Sequence, residues 1–150
     1  MNMVLESIIT AVLTVIIGVT VYAVSQIVSK FLITPVHKQD EIRGRIAHYL
    51  VFYANIYSNP GAGTPAQRST AVDIFRQQAC LLRSKTYMIR WYGLLSSIKL
   101  VPKIENINKA CANLIALSNH ISMGSNSPIQ LPQVQKWVEE IERLLKLGSE

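Results

Sequence analysis

Acidic residues are few in this sequence, nine Asp and Glu against 15 Lys and Arg, and between Glu6 and Lys30 there is no charge of either sign. The motifs of common catalysis are also missing. No Gly-rich phosphate loop, paired-carboxylate arrangement, His-Glu-x-x-His or Gly-x-Ser-x-Gly occurs, so the ordinary enzyme classes they mark have nothing to stand on. Cysteine is limited to Cys80 and Cys111, far apart and without metal-ligand spacing. Both are expected to be buried free thiols, with no metal and no cofactor implied. No segment outside the N-terminal run alternates with a period of two, which excludes a sheet. Internal repeats and low-complexity tracts are absent.

What is present first is the uncharged run itself, 23 residues from Ser7 to Ser29, rich in Ile, Val, Leu and Ala. As a helix it would be about 34 Å long, enough to cross a hydrocarbon core. It is too long for the apolar region of a signal peptide and lacks a basic segment before it. The small-x-small triplet Val21-Tyr22-Ala23 lies inside the run, which continues past it. The expectation is a retained, single-pass membrane anchor over residues 1–33, followed by a soluble domain over 34–150. Lys30, His37, Lys38, Arg43 and Arg45 follow the span closely, so the positive-inside rule places that domain in the cytoplasm. Backbone groups inside lipid must bond internally, so the run is helical.

One side of this helix carries small and weakly polar residues: Ser7, Ala11, Thr14, Gly18, Ser25 and Ser29, with Thr10 beside them. Small residues let helix backbones approach in a membrane, and hydroxyls can bond across. The seam is read as a surface for self-association. If a ring of such helices enclosed water, Thr10, Thr14, Ser25, Gln26 and Ser29 would line it without charge, and apolar constrictions would gate it.

Beyond the anchor the pattern is helical throughout. Thr34-Pro35 reads as an N-cap and first helical position, opening a helix with Ile42, Ile46, Tyr49, Leu50, Tyr53 and Tyr57 on one face, nearly continuous with the anchor and bent at Pro35. Asn59-Pro60-Gly61-Ala62-Gly63 is a breaker loop. Thr64-Pro65 repeats the cap signature before a face of Ala71, Ile74, Phe75, Ala79 and Leu82. Tyr87–Leu100 is shorter and aromatic, suited to a short helix or two turns. Pro102 opens a helix with Ile104, Ile107, Cys111, Leu114, Ile115, Ser118 and Ile121 on one face. Asn119 and His120 are expected to cap its C-terminus. After the loop Met123–Pro128, a last helix carries Val134, Trp137, Val138, Ile141, Leu144 and Leu145. The fold class is all-α: a transmembrane helix leading into a four- or five-helix bundle.

All 15 basic residues lie from Lys30 onward against eight acids, so this part carries +7 and suits an anionic neighbour such as lipid headgroups or nucleic acid. Arg76 and Arg83 share one helix face, and Arg90 continues it if the helix persists. With Tyr87, Trp91 and Tyr92 they could hold RNA by phosphate contact and stacking, lie against anionic lipid, or form a solvated face. Arg43 and His48 form an Arg-x4-His spacing. On a regular helix they point about 140° apart, so convergence needs distortion, for which Gly44 is permissive. The plainer reading has Asp40–Arg43 and Glu41–Arg45 as surface ion pairs and His48 half-buried.

The Arg43–His48 spacing resembles the signature of the HEPN superfamily of helical bundles, in which Arg-x4-6-His supports metal-independent RNA cleavage. The resemblance implies His48 as general acid or base and Arg43 stabilising charge on phosphate. An N-terminal span, a Pro-broken passage into a small basic helical bundle and this spacing together resemble the membrane accessory proteins of type VI-B CRISPR systems. That resemblance implies a HEPN-like bundle, an association with an RNA-guided RNase, and an oligomeric pore that depolarises the bacterial inner membrane in antiphage defence. The alternatives are a membrane-tethered HEPN-type RNase and a non-catalytic anchor for a cytosolic partner. The stretch from Thr34-Pro35 to Tyr57 also resembles small bacterial membrane proteins from which no function carries over.

Overall fold

A computed structural model describes residues 2–59 and 61–147; Pro60 of the breaker loop and the tail 148–150 lie outside the described residues. The described residues contain seven α-helices and no strand. They are α1 (Asn2–Val28), α2 (Thr34–Phe52), α3 (Ala54–Ser58), α4 (Pro65–Met88), α5 (Tyr92–Ser97), α6 (Ile104–Met123) and α7 (Leu131–Leu145).

α2 begins at Thr34 with Pro35 in its first turn, as expected, but Thr34 is not an N-cap. The backbone of Thr34 is already helical, and α1 runs into α2 through a π turn at Ser29–Ile33, making one helical run of 50 residues from Met3 to Phe52. Pro35 has no N–H, and in a regular helix its ring would press on the carbonyl four residues back. The wider turn accommodates it: the Thr34 N–H and hydroxyl both reach back five residues to the Ser29 carbonyl. The expected boundary between residues 33 and 34 therefore falls inside continuous helix.

α2 ends sooner than the pattern Ile42–Tyr57 predicts. Tyr53 leaves helical geometry with ψ of 14°, and α3 follows as a separate short helix. The break turns Tyr57 inward, where its hydroxyl donates to the Leu50 carbonyl at 2.9 Å. Burial pushes the Tyr57 phenol above its ordinary pKa, with the nearby Glu142 carboxylate adding to the effect. α4 begins as the sequence predicts, at a reciprocal cap between Thr64 and Gln67.

The core lies among α2, α4, α6 and α7. Ile42, Ile46 and Leu50 meet Phe75 and Leu82 of α4, Leu114 of α6 and Ile141 of α7, all essentially without solvent contact. α4 packs most extensively on α6, and α6 in turn on α7. The periodicity misplaces some residues. Ile104 and Ile115, expected on the buried face of α6, are exposed, and Cys80, expected to be buried, lies on the solvent side of α4. Cys111 is buried as expected. Its thiol donates to the Ala79 carbonyl, and burial pushes it up to about 11.

Candidate functional site

From Met3 to Lys30 every residue is exposed, so α1 projects from the bundle without contributing to its core. This helix is long and apolar enough to span a membrane. Ser7, Thr10, Ala11 and Thr14 lie together on one exposed face of it, beside Met3 and Glu6. Their hydroxyls are already engaged within the helix. Ser7 donates to the Met3 carbonyl, Thr10 to Glu6 and Thr14 to Thr10, at 2.8–2.9 Å. Such hydroxyls retain acceptor capacity but no unpaired donor, so close approach along this side would rest on van der Waals packing first. A Cβ added at Gly18 would meet nothing within 4 Å, so no contact within the chain requires a glycine there. Ser25 and Ser29 are equally exposed near the base.

Arg43 and His48 take different roles. The Arg43 Nε donates to the Leu145 carbonyl at 2.8 Å, Nη2 donates to the same oxygen, and Nη1 pairs with Asp40. This guanidinium holds α2 against the C-terminus of α7, where the helix dipole favours a cation. His48 is exposed and stacks on Phe52 with ring centroids 5.8 Å apart. No hydrogen bond joins the two among the described residues. The expected ion pair between Asp40 and Arg43 forms, whereas Glu41 and Arg45 are not within pairing distance.

The basic tract is divided by the end of α4. Arg76 donates to Ser118 and Asn119 of α6, Arg83 lies over the Tyr87 ring, and Arg90 comes after the helix has stopped, 5.5 Å from the centre of the Phe31 ring. The register Arg76–Arg83 therefore does not continue to Arg90. Trp91 takes left-handed backbone with φ of 58° and starts the turn into α5 with its side chain exposed.

Two polar features have no signature in the sequence. Gln39 is fully buried and donates to the Thr86 hydroxyl at 2.8 Å and the Tyr92 hydroxyl at 3.2 Å, while Tyr92 donates to the Pro102 carbonyl at 2.6 Å. This network fastens α5 and its flanks to α2 and α4 beside the root of α1. Desolvation raises the Tyr92 phenol, with smaller opposing contributions from its Gln39 hydrogen bond and Arg43. His120 does not cap α6, which continues to Met123. It is buried between Ser127 and the Tyr57 carbonyl, at 2.7 and 3.1 Å. The carbonyl can only accept, so Nε2 carries the proton and Nδ1 accepts from Ser127.

Between α1, α2 and α5 lies an apolar groove of about 450 Å³ lined by Val28, Leu32, Ile33, Val36, Leu95 and Leu100, with His37 and Asp40 at its edge. A second cleft at the opposite end of α2, between Tyr53 and Thr70, is lined by no carboxylate, imidazole or thiol. Among the described residues, no cluster of three or more His, Cys, Asp or Glu side chains is arranged to hold a metal. Comparison of the chain with protein-family models, curated proteins and solved structures finds no match to any of the three.

Proposed function

We propose that the protein acts in a membrane as a self-associating assembly, with α1 crossing the bilayer and packing on copies of itself through Ser7, Ala11, Thr14, Gly18 and Ser25. The observation that carries this reading is a 23-residue uncharged helical run that no part of the fold covers. A helix so exposed needs an apolar solvent, and its least bulky side offers the closest approach for a second helix. The basic residues after the span orient the bundle toward the cytoplasm of a bacterial cell. Following the resemblance to the type VI-B CRISPR accessory proteins, the assembly is a pore or membrane-perturbing effector of antiphage defence. The bundles are HEPN-like and positioned to receive a signal from RNA or from an RNA-guided RNase. The test is Gly18→Leu in the full chain. Because a side chain at Gly18 meets nothing within the monomer, the variant is expected to fold and to lose oligomer mass in detergent. An unchanged mass would remove the seam from the mechanism.

The membrane-tethered RNase reading requires Arg43 and His48 to act on one phosphate. The guanidinium of Arg43 is already bound to the end of α7, so that reading gains nothing from the geometry. The non-catalytic anchor reading is supported by the exposed rings of Tyr87 and Trp91 beside Arg83 and Arg90.

A further inference from the structure

We infer that the segment Tyr87–Leu100 is a second membrane-binding element, lying in the headgroup region of the same phospholipid bilayer that α1 crosses. The inference rests on the reading of α1 as a membrane span and adds to it a surface contact that fixes how the bundle sits on the membrane.

Height comes first. Ile89, Leu95 and Val101 pack with Leu32 and Val36, Leu95 and Leu100 share the apolar groove with Val28 and Ile33, and Arg90 lies over Phe31. The segment is thus beside residues 28–36, where the uncharged run ends at Ser29. If the run fills the hydrocarbon core, these residues stand at its polar boundary. The network from Gln39 through Tyr92 to Pro102 holds them there.

Chemistry comes second. Trp91, Leu94 and Ile98 are each 64% exposed, and Met88 and Leu100 are also open to solvent. A patch of this kind is unusual on a soluble face, and here it adjoins the exposed Phe31 and Ile33 at the base of α1. Arg90 and Lys99 flank it, suited to lipid phosphate, while Trp and Tyr favour the interface where one part is apolar and another wet. Short apolar elements rimmed by basic residues bind this layer without spanning it. The nearby acids do not oppose the contact: Asp40 is paired with Arg43, and Glu105 adjoins α5 at Gly93, Ser96 and Ser97, the face opposite Trp91, Leu94 and Ile98, with Lys103 in the same cleft.

The test uses the full chain in phosphatidylcholine–phosphatidylglycerol vesicles containing brominated lipid. With Trp137→Phe, Trp91 is the sole tryptophan. It should be quenched more by bromines near the headgroup than by bromines deep in the chains, and Leu94→Asp with Ile98→Asp should abolish that quenching. Both sites are exposed, so the fold does not depend on them. A companion chain with Trp91→Phe, Trp137→Phe and Tyr22→Trp reports α1 through deep quenching. If the companion is quenched while Trp91 is not, the inference is overturned with the span intact. In that case, Trp91 shielded from aqueous acrylamide would assign the patch to a protein partner. If neither is quenched, the spanning reading fails and this inference with it.

Discussion

Arg43→Ala separates a structural arginine from a catalytic one. The Arg43 side chain is 17% exposed and its main acceptor is the carbonyl of Leu145, a residue with no solvent contact. Hydrogen bonds from a charged donor contribute about 1.5–3 kcal/mol, and a carbonyl stranded away from water carries a penalty of similar size. The Asp40 partner is 45% exposed, so solvent screening leaves the ion pair at about 0–1 kcal/mol. These contributions overlap, and the truncation is expected to cost about 3 kcal/mol, a fall of roughly 10 °C in Tm for a bundle of this size. Asp40→Asn should cost less than about 1 kcal/mol. His48→Ala should leave Tm within the narrow range of surface substitutions, because the ring is exposed and stacks only on its own helix. The assay is thermal unfolding of the full chain in detergent, followed by tryptophan fluorescence so that the micelle-protected α1 does not dominate the signal. An Arg43→Ala variant that melts with the wild type would refute the reasoning and return Arg43 to the candidates for phosphate contact.

Maleimide should label Cys80 in the folded protein and spare Cys111 until denaturant is added, read by intact mass; equal labelling of both would contradict the packing of α4 on α6. Because burial lifts Cys111 from 9.0 to about 11, its contribution to stability is whole below about pH 9 and is lost as pH rises toward 11, which alkaline melts would record. His120→Ala strands the Tyr57 carbonyl and empties a buried site, so a loss of about 2–3 kcal/mol is expected in denaturant titration. Lys146 closes α7 in left-handed backbone at φ 53°, so Lys146→Gly should raise stability by about 0.5–1 kcal/mol, and a lower Tm would show that its side chain matters more than its backbone.

The helices were legible in the sequence wherever spacing and caps agreed. Thr64 and Gln67 announce the start of α4, and the 3.6-residue spacing of Ile107, Cys111, Leu114 and Ile121 gives the buried face of α6. Spacing failed where a local rule met a tertiary one. Thr34-Pro35 has the chemistry of a helix start, yet a π turn carries the helix through it, because flanking residues already favour helix and only one wider turn is needed. His120 near the end of α6 resembles a cap because periodicity cannot show that Tyr57 and Ser127 close over it. Of the candidate sites, the seam could be read as a surface because a helix period is all it requires. The partners of Arg43 could not, since Leu145 lies 102 residues away. The stretch that holds α5 was legible as aromatic and basic, open alike to RNA, anionic lipid or solvent. Placing it beside the end of α1 required the packing of Leu32 and Val36.

Continuity between α1 and α2 bears on how a movement of one would reach the other. A span joined to its domain by a loop would let either part rotate without moving the other, since a flexible linker carries little orientation. Here helical hydrogen bonding persists from Met3 to Phe52, and α2 supplies Ile42, Ile46 and Leu50 to the core. A tilt or rotation of α1 must therefore be resisted by packing against α4 and α7, or absorbed at the π turn. The π turn is the place where such compliance would concentrate, because its wider hydrogen-bonding pattern already departs from the regular ladder. Leu32 within that turn and Val36 just beyond it also touch the α5 segment. A movement of α1 and a force on the bundle would thus meet at residues 29–36, where the uncharged run ends, the helix continues and the bundle is in contact.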